Sequence, residues 1–192
     1  MSLTVDFKEM LRYWGVKGDC TNELMAVAKK AIDLSEKSIS PKIVYEKFPV
    51  EISDNTVSIG RFSAVSKDLA KCLKNSEFAI MLCATVGIGI DNLINRYNGV
   101  NMALSTAISA AGSALIETYL DEFCVNLKAD YNRIGYDITP RFSAGYGDLS
   151  LDTQKDFFEI LNITKRIGVN LNDSLLMTPT KSVTAIIGIT KM

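Results

Sequence analysis

A chain of 192 residues, 47% of them hydrophobic, carries enough apolar side chains to close a core, which excludes a disordered tail protein. Its 21 basic and 22 acidic residues nearly cancel, and no block of like charge is long enough to track a phosphate backbone or an anionic membrane, so nucleic acid and membrane are not expected as partners. The complete absence of histidine removes the commonest general base, the commonest zinc ligand and any Ser-His or Cys-His nucleophile pair, so demanding chemistry would have to belong to a ligand or a partner.

The N-terminus, "MSLTVDFKEM", lacks the basic start and apolar core of a secretory signal, and a cytoplasmic location is expected. A short helix is predicted around Phe7 to Trp14. After Gly18, Thr21 caps a longer helix with Leu24, Val27, Ala28, Ala31, Ile32 and Leu34 near one face, and Pro41 helps to end it. Lys42 to Ile52 is rich in Ile, Val, Tyr and Phe, and "SDN" at 53 to 55 turns it into a second strand at Val57 to Ile59; Pro49 places one strand of this hairpin near an edge.

Ser66 caps a helix through Leu73, "EFAIMLCATVG" at 77 to 87 reads as an apolar strand, and a helix near Asp91 to Tyr97 leads into a long one, roughly 101 to 130. The uncharged run Tyr97 to Ile116 is studded with Asn, Ser and Thr, which makes it a buried helix of a soluble protein rather than a membrane span. Ser150 or Asp152 starts a helix to about Leu161, a helical turn reaches Gly168, and two strands flank "TPTK" at 178 to 181. The sum is α+β without regular βαβ alternation: one compact domain over 1–192 with an antiparallel sheet, a long central helix and a helical N-terminal extension at 1–40.

Cys20, Cys72, Cys83 and Cys124 are widely spaced with no CxxC and are expected to be thiols. "GIGIDN" at 87 to 92 lacks the third glycine of a dinucleotide loop and the lysine of a P-loop, so it reads as strand-to-helix packing. Glu117 is the first charge after Arg96 on an otherwise apolar helix; its partner is a ligand, a cation of the protein, or the solvent met near Asp121 and Glu122. In "TPRFSAGYGDLSLDTQ", 139 to 154, Arg141 offers a planar fork suited to a carboxylate. Gly145 and Gly147 let backbone approach closely, and Tyr146 adds a flat face with a hydroxyl. The same residues also make an ordinary surface loop.

"RFSAGYGD" resembles the Arg-x-x-x-Gly-Tyr motif of the activation domain of cobalamin-dependent methionine synthase. "NLNDSLLMTPTKSVTAIIG", 170 to 188, is similar to that family's Ser-x-x-Met-x-Pro-x-x-Ser-Val segment through Ser174, Met177, Pro179, Ser182 and Val183, and "LIETYLDEF", 115 to 123, resembles its glutamate-bearing helix. The three stretches occur in the family's order, in a chain that looks like the short stand-alone form.

The resemblance implies a module of methionine biosynthesis that binds S-adenosylmethionine and presents its methyl group to a corrinoid held by another protein, with little turnover alone. The task it implies is rescue of a methionine synthase stranded as cob(II)alamin, by one-electron reduction from a flavodoxin-type donor together with methyl transfer. Carried over by position, Arg141 holds the methionine carboxylate, Glu117 holds the ammonium, Ala144, Gly145 and Tyr146 line the ligand, and Asp6 matches a family aspartate. No segment resembles the family's Asp-x-His-x-x-Gly cobalamin signature, so cobalamin is expected only through the partner. The family's next hairpin strand with its tyrosine pair has no counterpart before Met192, which implies weak affinity. A non-catalytic interaction module and an activator of another corrinoid methyltransferase are the alternatives.

Overall fold

Capping side chains and glycine turns divide the chain sharply. The computed structural model describes residues 3–18 and 20–192. Among them, α1 (Phe7–Trp14) and α2 (Asn22–Glu36) precede β1 (Lys42–Ser53), β2 (Thr56–Ile59), β3 (Phe62–Val65), α3 (Lys67–Cys72) and β4 (Ser76–Thr85). There follow α4 (Gly89–Tyr97), α5 (Met102–Asn132), β5 (Tyr136–Ile138), a 3-10 turn (Leu151–Thr153), α6 (Gln154–Leu161), α7 (Ile163–Ile167), β6 (Asn170–Leu171), β7 (Met177–Thr178) and β8 (Ser182–Lys191). The class is α+β, as the sequence implies.

The chain groups into two compact units, each assembled from separated segments. The first comprises 1–42, 85–122 and 178–182, so the N-terminal helices belong with α4, α5 as far as Glu122, and the "TPTKS" segment. Here Asp6 caps α1 and Thr21 caps α2 by accepting from backbone N–H groups, while Asn101 accepts from the Leu104 N–H at the start of α5. The Trp14 indole donates to Thr106 on α5 at 3.0 Å, and the Val5 N–H donates to Glu36 at 2.8 Å. The "GIG" stretch is a packing device: a Cβ on Gly87 would lie 3.1 Å from the Ser40 carbonyl oxygen, and one on Gly89 would collide with that of Ser38.

The second unit holds the six-stranded antiparallel sheet, in the order β3-β2-β1-β4-β8-β5. β1 and β2 pair from Ser53↔Thr56 to Val50↔Ile59 around Asp54, whose φ of 54° fits the tight turn that "SDN" predicts. Two short strands of this sheet escaped the sequence reading, as did β6, which pairs with β7 in a separate two-stranded sheet. β3 pairs with β2 across Gly60 and Arg61, and β5 pairs with β8 from Tyr136↔Lys191 to Ile138↔Ile189. The expectation that Pro49 lies near an edge needs refinement: β1 is interior, but pairing with β2 starts at Val50, so the missing N–H of Pro49 falls just beyond that register.

The core of this unit forms between the sheet and α3, α6 and α7, around Val57, Ile59, Leu69, Met81, Leu161 and Ile186. Phe62 on β3 and Phe157 on α6 meet edge to face, with ring centroids 5.8 Å apart. Both are almost wholly buried. Phe157→Ala is expected to lower stability by ~3–5 kcal/mol, the range for truncating a buried aromatic, measured as the loss of unfolding free energy in urea.

Candidate functional site

The Arg-x-x-x-Gly-Tyr loop lies in the second unit, and its path is fixed at both ends. After β5, Thr139 exchanges hydrogen bonds with Gly188, its N–H donating to the Gly188 carbonyl at 2.9 Å and its hydroxyl accepting from the Gly188 N–H at 2.8 Å. Phe142 and Ile186 exchange backbone hydrogen bonds at 2.9 and 2.8 Å, so the chain stays tied to β8 through the arginine position. It then folds on itself: the Gly145 N–H donates to the Leu149 carbonyl at 2.9 Å and the Leu149 N–H to that of Tyr146 at 3.0 Å.

Asp148 closes the loop onto the N-terminus of α3. Its carboxylate accepts from the Ser66 hydroxyl, from the Lys67 N–H at 2.8 Å and from the Asp68 N–H at 3.2 Å. Ser66 in turn accepts from the Leu69 N–H at 3.0 Å, as its capping role predicts. These donors, the Ser66 hydroxyl foremost, hold the Asp148 carboxyl below the usual carboxylate range. Gly147 adopts a φ of 54°, and a Cβ there would strike the Asp68 carboxylate, so the close approach of loop to helix requires glycine. Gly145, at a φ of 81°, serves the tight turn.

This scaffold presents the predicted side chains differently. Arg141 is half-buried and reaches α5, where its Nη1 lies 3.8 Å from Cys124 Sγ. Phe142 is buried, while the Tyr146 ring packs edge-on against it at 5.9 Å and remains 71% exposed. Ala144 is half-buried and Gly145 exposed. Pro140, Phe142, Tyr146 and Gly147 line a cleft of about 530 Å³ together with Asp68, Lys71 and Cys72 of α3. That volume suits a small ligand. Arg141 is not among its lining residues.

Arg141, Ala144, Gly145 and Tyr146 are thus brought together on one loop, whereas Glu117 and Asp6 belong to the other unit. Glu117 is half-buried on α5. The exposed Asp6 carboxylate accepts from the Lys8 and Glu9 N–H groups at 2.8 and 3.1 Å as the cap of α1. The α3 wall of the cleft went unread, because Asp68 and Lys71 look like ordinary polar positions of a short helix. All four cysteines are free thiols, and burial pushes Cys83 up to about 12. Among the described residues, no helix is long and apolar enough to cross a membrane.

No family model matches the sequence, and no curated protein matches it. Solved structures do match. The crystal structure of the MetH reactivation domain bound to AdoHcy superposes with a TM-score of 0.72 at 16% identity, covering 96% of this chain and 73% of that one. At that identity the likeness shows the fold: this chain is built as a reactivation domain is built.

Asp148→Asn should lower the melting temperature at neutral pH. Because the folded carboxyl titrates below its ordinary value of 3.8, its stabilisation is fully present above about that pH and is lost as the pH falls through the folded value. The gap between wild type and variant, followed by thermal unfolding, should therefore be constant from neutrality down to the carboxylate range and narrow below it.

Proposed function

We propose that this chain, taken as one activation-like domain over 1–192, is an S-adenosylmethionine-binding reactivation module that supports reductive methylation of cob(II)alamin on a cobalamin-dependent methionine synthase. The observation that carries the reading is the fold shared with a reactivation domain crystallised with AdoHcy, on which this chain bears its own Arg-x-x-x-Gly-Tyr loop. The reaction is divided among molecules. The chain has no histidine to ligate cobalt, so the corrinoid comes with a partner protein, and the electron comes from a flavodoxin-type donor.

When bound, S-adenosylmethionine supplies an electrophilic methyl group on its sulfonium. The chain's residues bind and orient. Arg141 is assigned the ligand carboxylate: its fork matches two oxygens, and its half-buried setting strengthens a charge-assisted pair relative to one in open water. Glu117 is assigned the ammonium, and its half-buried place on a rigid helix keeps the carboxylate in position. Gly145 offers backbone with no side chain in the way, and the exposed Tyr146 ring offers a flat surface to the ligand or to the arriving corrin. Asp6 is assigned a lesser part, since its carboxylate already caps α1.

Calorimetric titration of S-adenosylmethionine tests the reading. Losing a charge-assisted contact worth roughly 1.5–3 kcal/mol should weaken binding by about tenfold or more in Arg141→Ala. Glu117→Gln should weaken it comparably. Absence of wild-type binding, alone and with a corrinoid partner present, would overturn the reading in favour of an interaction module.

A further inference from the structure

Lys181, in the "TPTKS" segment, occupies an unusual place within the first unit. Its half-buried ammonium donates to the hydroxyls of Ser109 and Ser113 on α5, at 3.1 and 2.9 Å, so its direct partners are neutral oxygens rather than a carboxylate. Gly112 makes room for the stem, since a Cβ there would lie 3.1 Å from Lys181 Cγ. Asp91 of α4 stands near enough to favour the charge, but both its oxygens face the Thr180 N–H at 3.2 Å. Burial is the larger influence and lowers the lysine below its ordinary value.

Ser109, Ser113 and Glu117 fall on successive turns of one face of α5, so the hydroxyl that holds Lys181 is one turn, roughly 6 Å of rise, from Glu117. A fixed cation thus lies beside the carboxylate assigned to the ligand ammonium. We propose that Lys181 is a charge-selectivity residue of this site, disfavouring a ligand with a cationic sulfonium relative to the same ligand with a neutral thioether. The inference rests on the proposed function, in which the nucleoside ligand meets Glu117. With its ammonium on Glu117, such a ligand would carry its sulfonium on the order of 10 Å from the lysine, a separation at which two like charges in a partly solvated site repel by several-fold in affinity. The neutral thioether, left after methyl loss, escapes this repulsion, so the module retains spent ligand better than a site without the lysine.

The test compares the affinities of S-adenosylmethionine and S-adenosylhomocysteine, equal in shape and different in charge, for wild type, Lys181→Met, Lys181→Gln and Lys181→Arg. Either neutral variant should shift the ratio about fivefold toward S-adenosylmethionine, and Lys181→Arg should keep it. The glutamine variant can still bond to Ser109 and Ser113, which covers the event that methionine disturbs folding. A purely structural lysine would move both affinities together. Binding of both ligands with an unchanged ratio overturns the charge-selectivity proposal alone; binding of neither to wild type overturns the S-adenosylmethionine reading and this inference with it.

Discussion

The anchoring of Asp148 at the head of α3 is the constraint on which the loop depends. A short helix leaves its first N–H groups without intrahelical partners, and here two of them are satisfied by a carboxylate that arrives from a distant part of the chain. The same bonds hold the loop. With Phe142 tied to Ile186 on one side and Asp148 tied to α3 on the other, residues 143–147 have little freedom left, and Tyr146 stands out from a braced turn rather than a slack one. A ligand meeting such a loop pays less ordering entropy than one that must organise it.

The division of the loop's side chains follows from its extended start. Neighbouring residues of an extended chain point to opposite sides, so Arg141 goes toward α5 and Phe142 into the core and the cleft. The two features that look like a single motif in the sequence therefore serve different surroundings. Tyr146, at the far end, shares a boundary with the cleft while its ring remains open to solvent.

Much of this was legible in the sequence where the signal is local. Asp6 aside, which was read by resemblance alone, Thr21 and Ser66 announce helix starts, "SDN" a hairpin and "GIG" a close packing of backbone, and each is found where the pattern puts it. Most of the long uncharged run lies in α5, but its start does not: α4 ends at Tyr97, Gly99 turns at a φ of 77°, and α5 begins only at Met102. What escaped was non-local. β3 and β5 are too short to show a period and exist because β2 and β8 offer them an edge. The tie between Ser66 and Asp148 spans 82 residues, so nothing local to "GYGD" announces that its aspartate receives N–H groups of α3. The cleft's α3 wall and the lysine held by Ser109 and Ser113 likewise depend on which elements meet. Three short motifs carried the resemblance to a reactivation domain in the sequence, and although no family model and no curated protein match, the shared fold is found by comparison of structures, because packing and topology persist where most side-chain identity does not.

The proposed function makes a definite demand of the second unit: S-adenosylmethionine is held against the braced loop, with Arg141 on its carboxylate. Hydrogen–deuterium exchange of the protein with and without saturating S-adenosylmethionine measures this directly. The account predicts slowed exchange concentrated in 141–147. Ligand binding that leaves the loop's exchange unchanged, or that protects some other region instead, would contradict it.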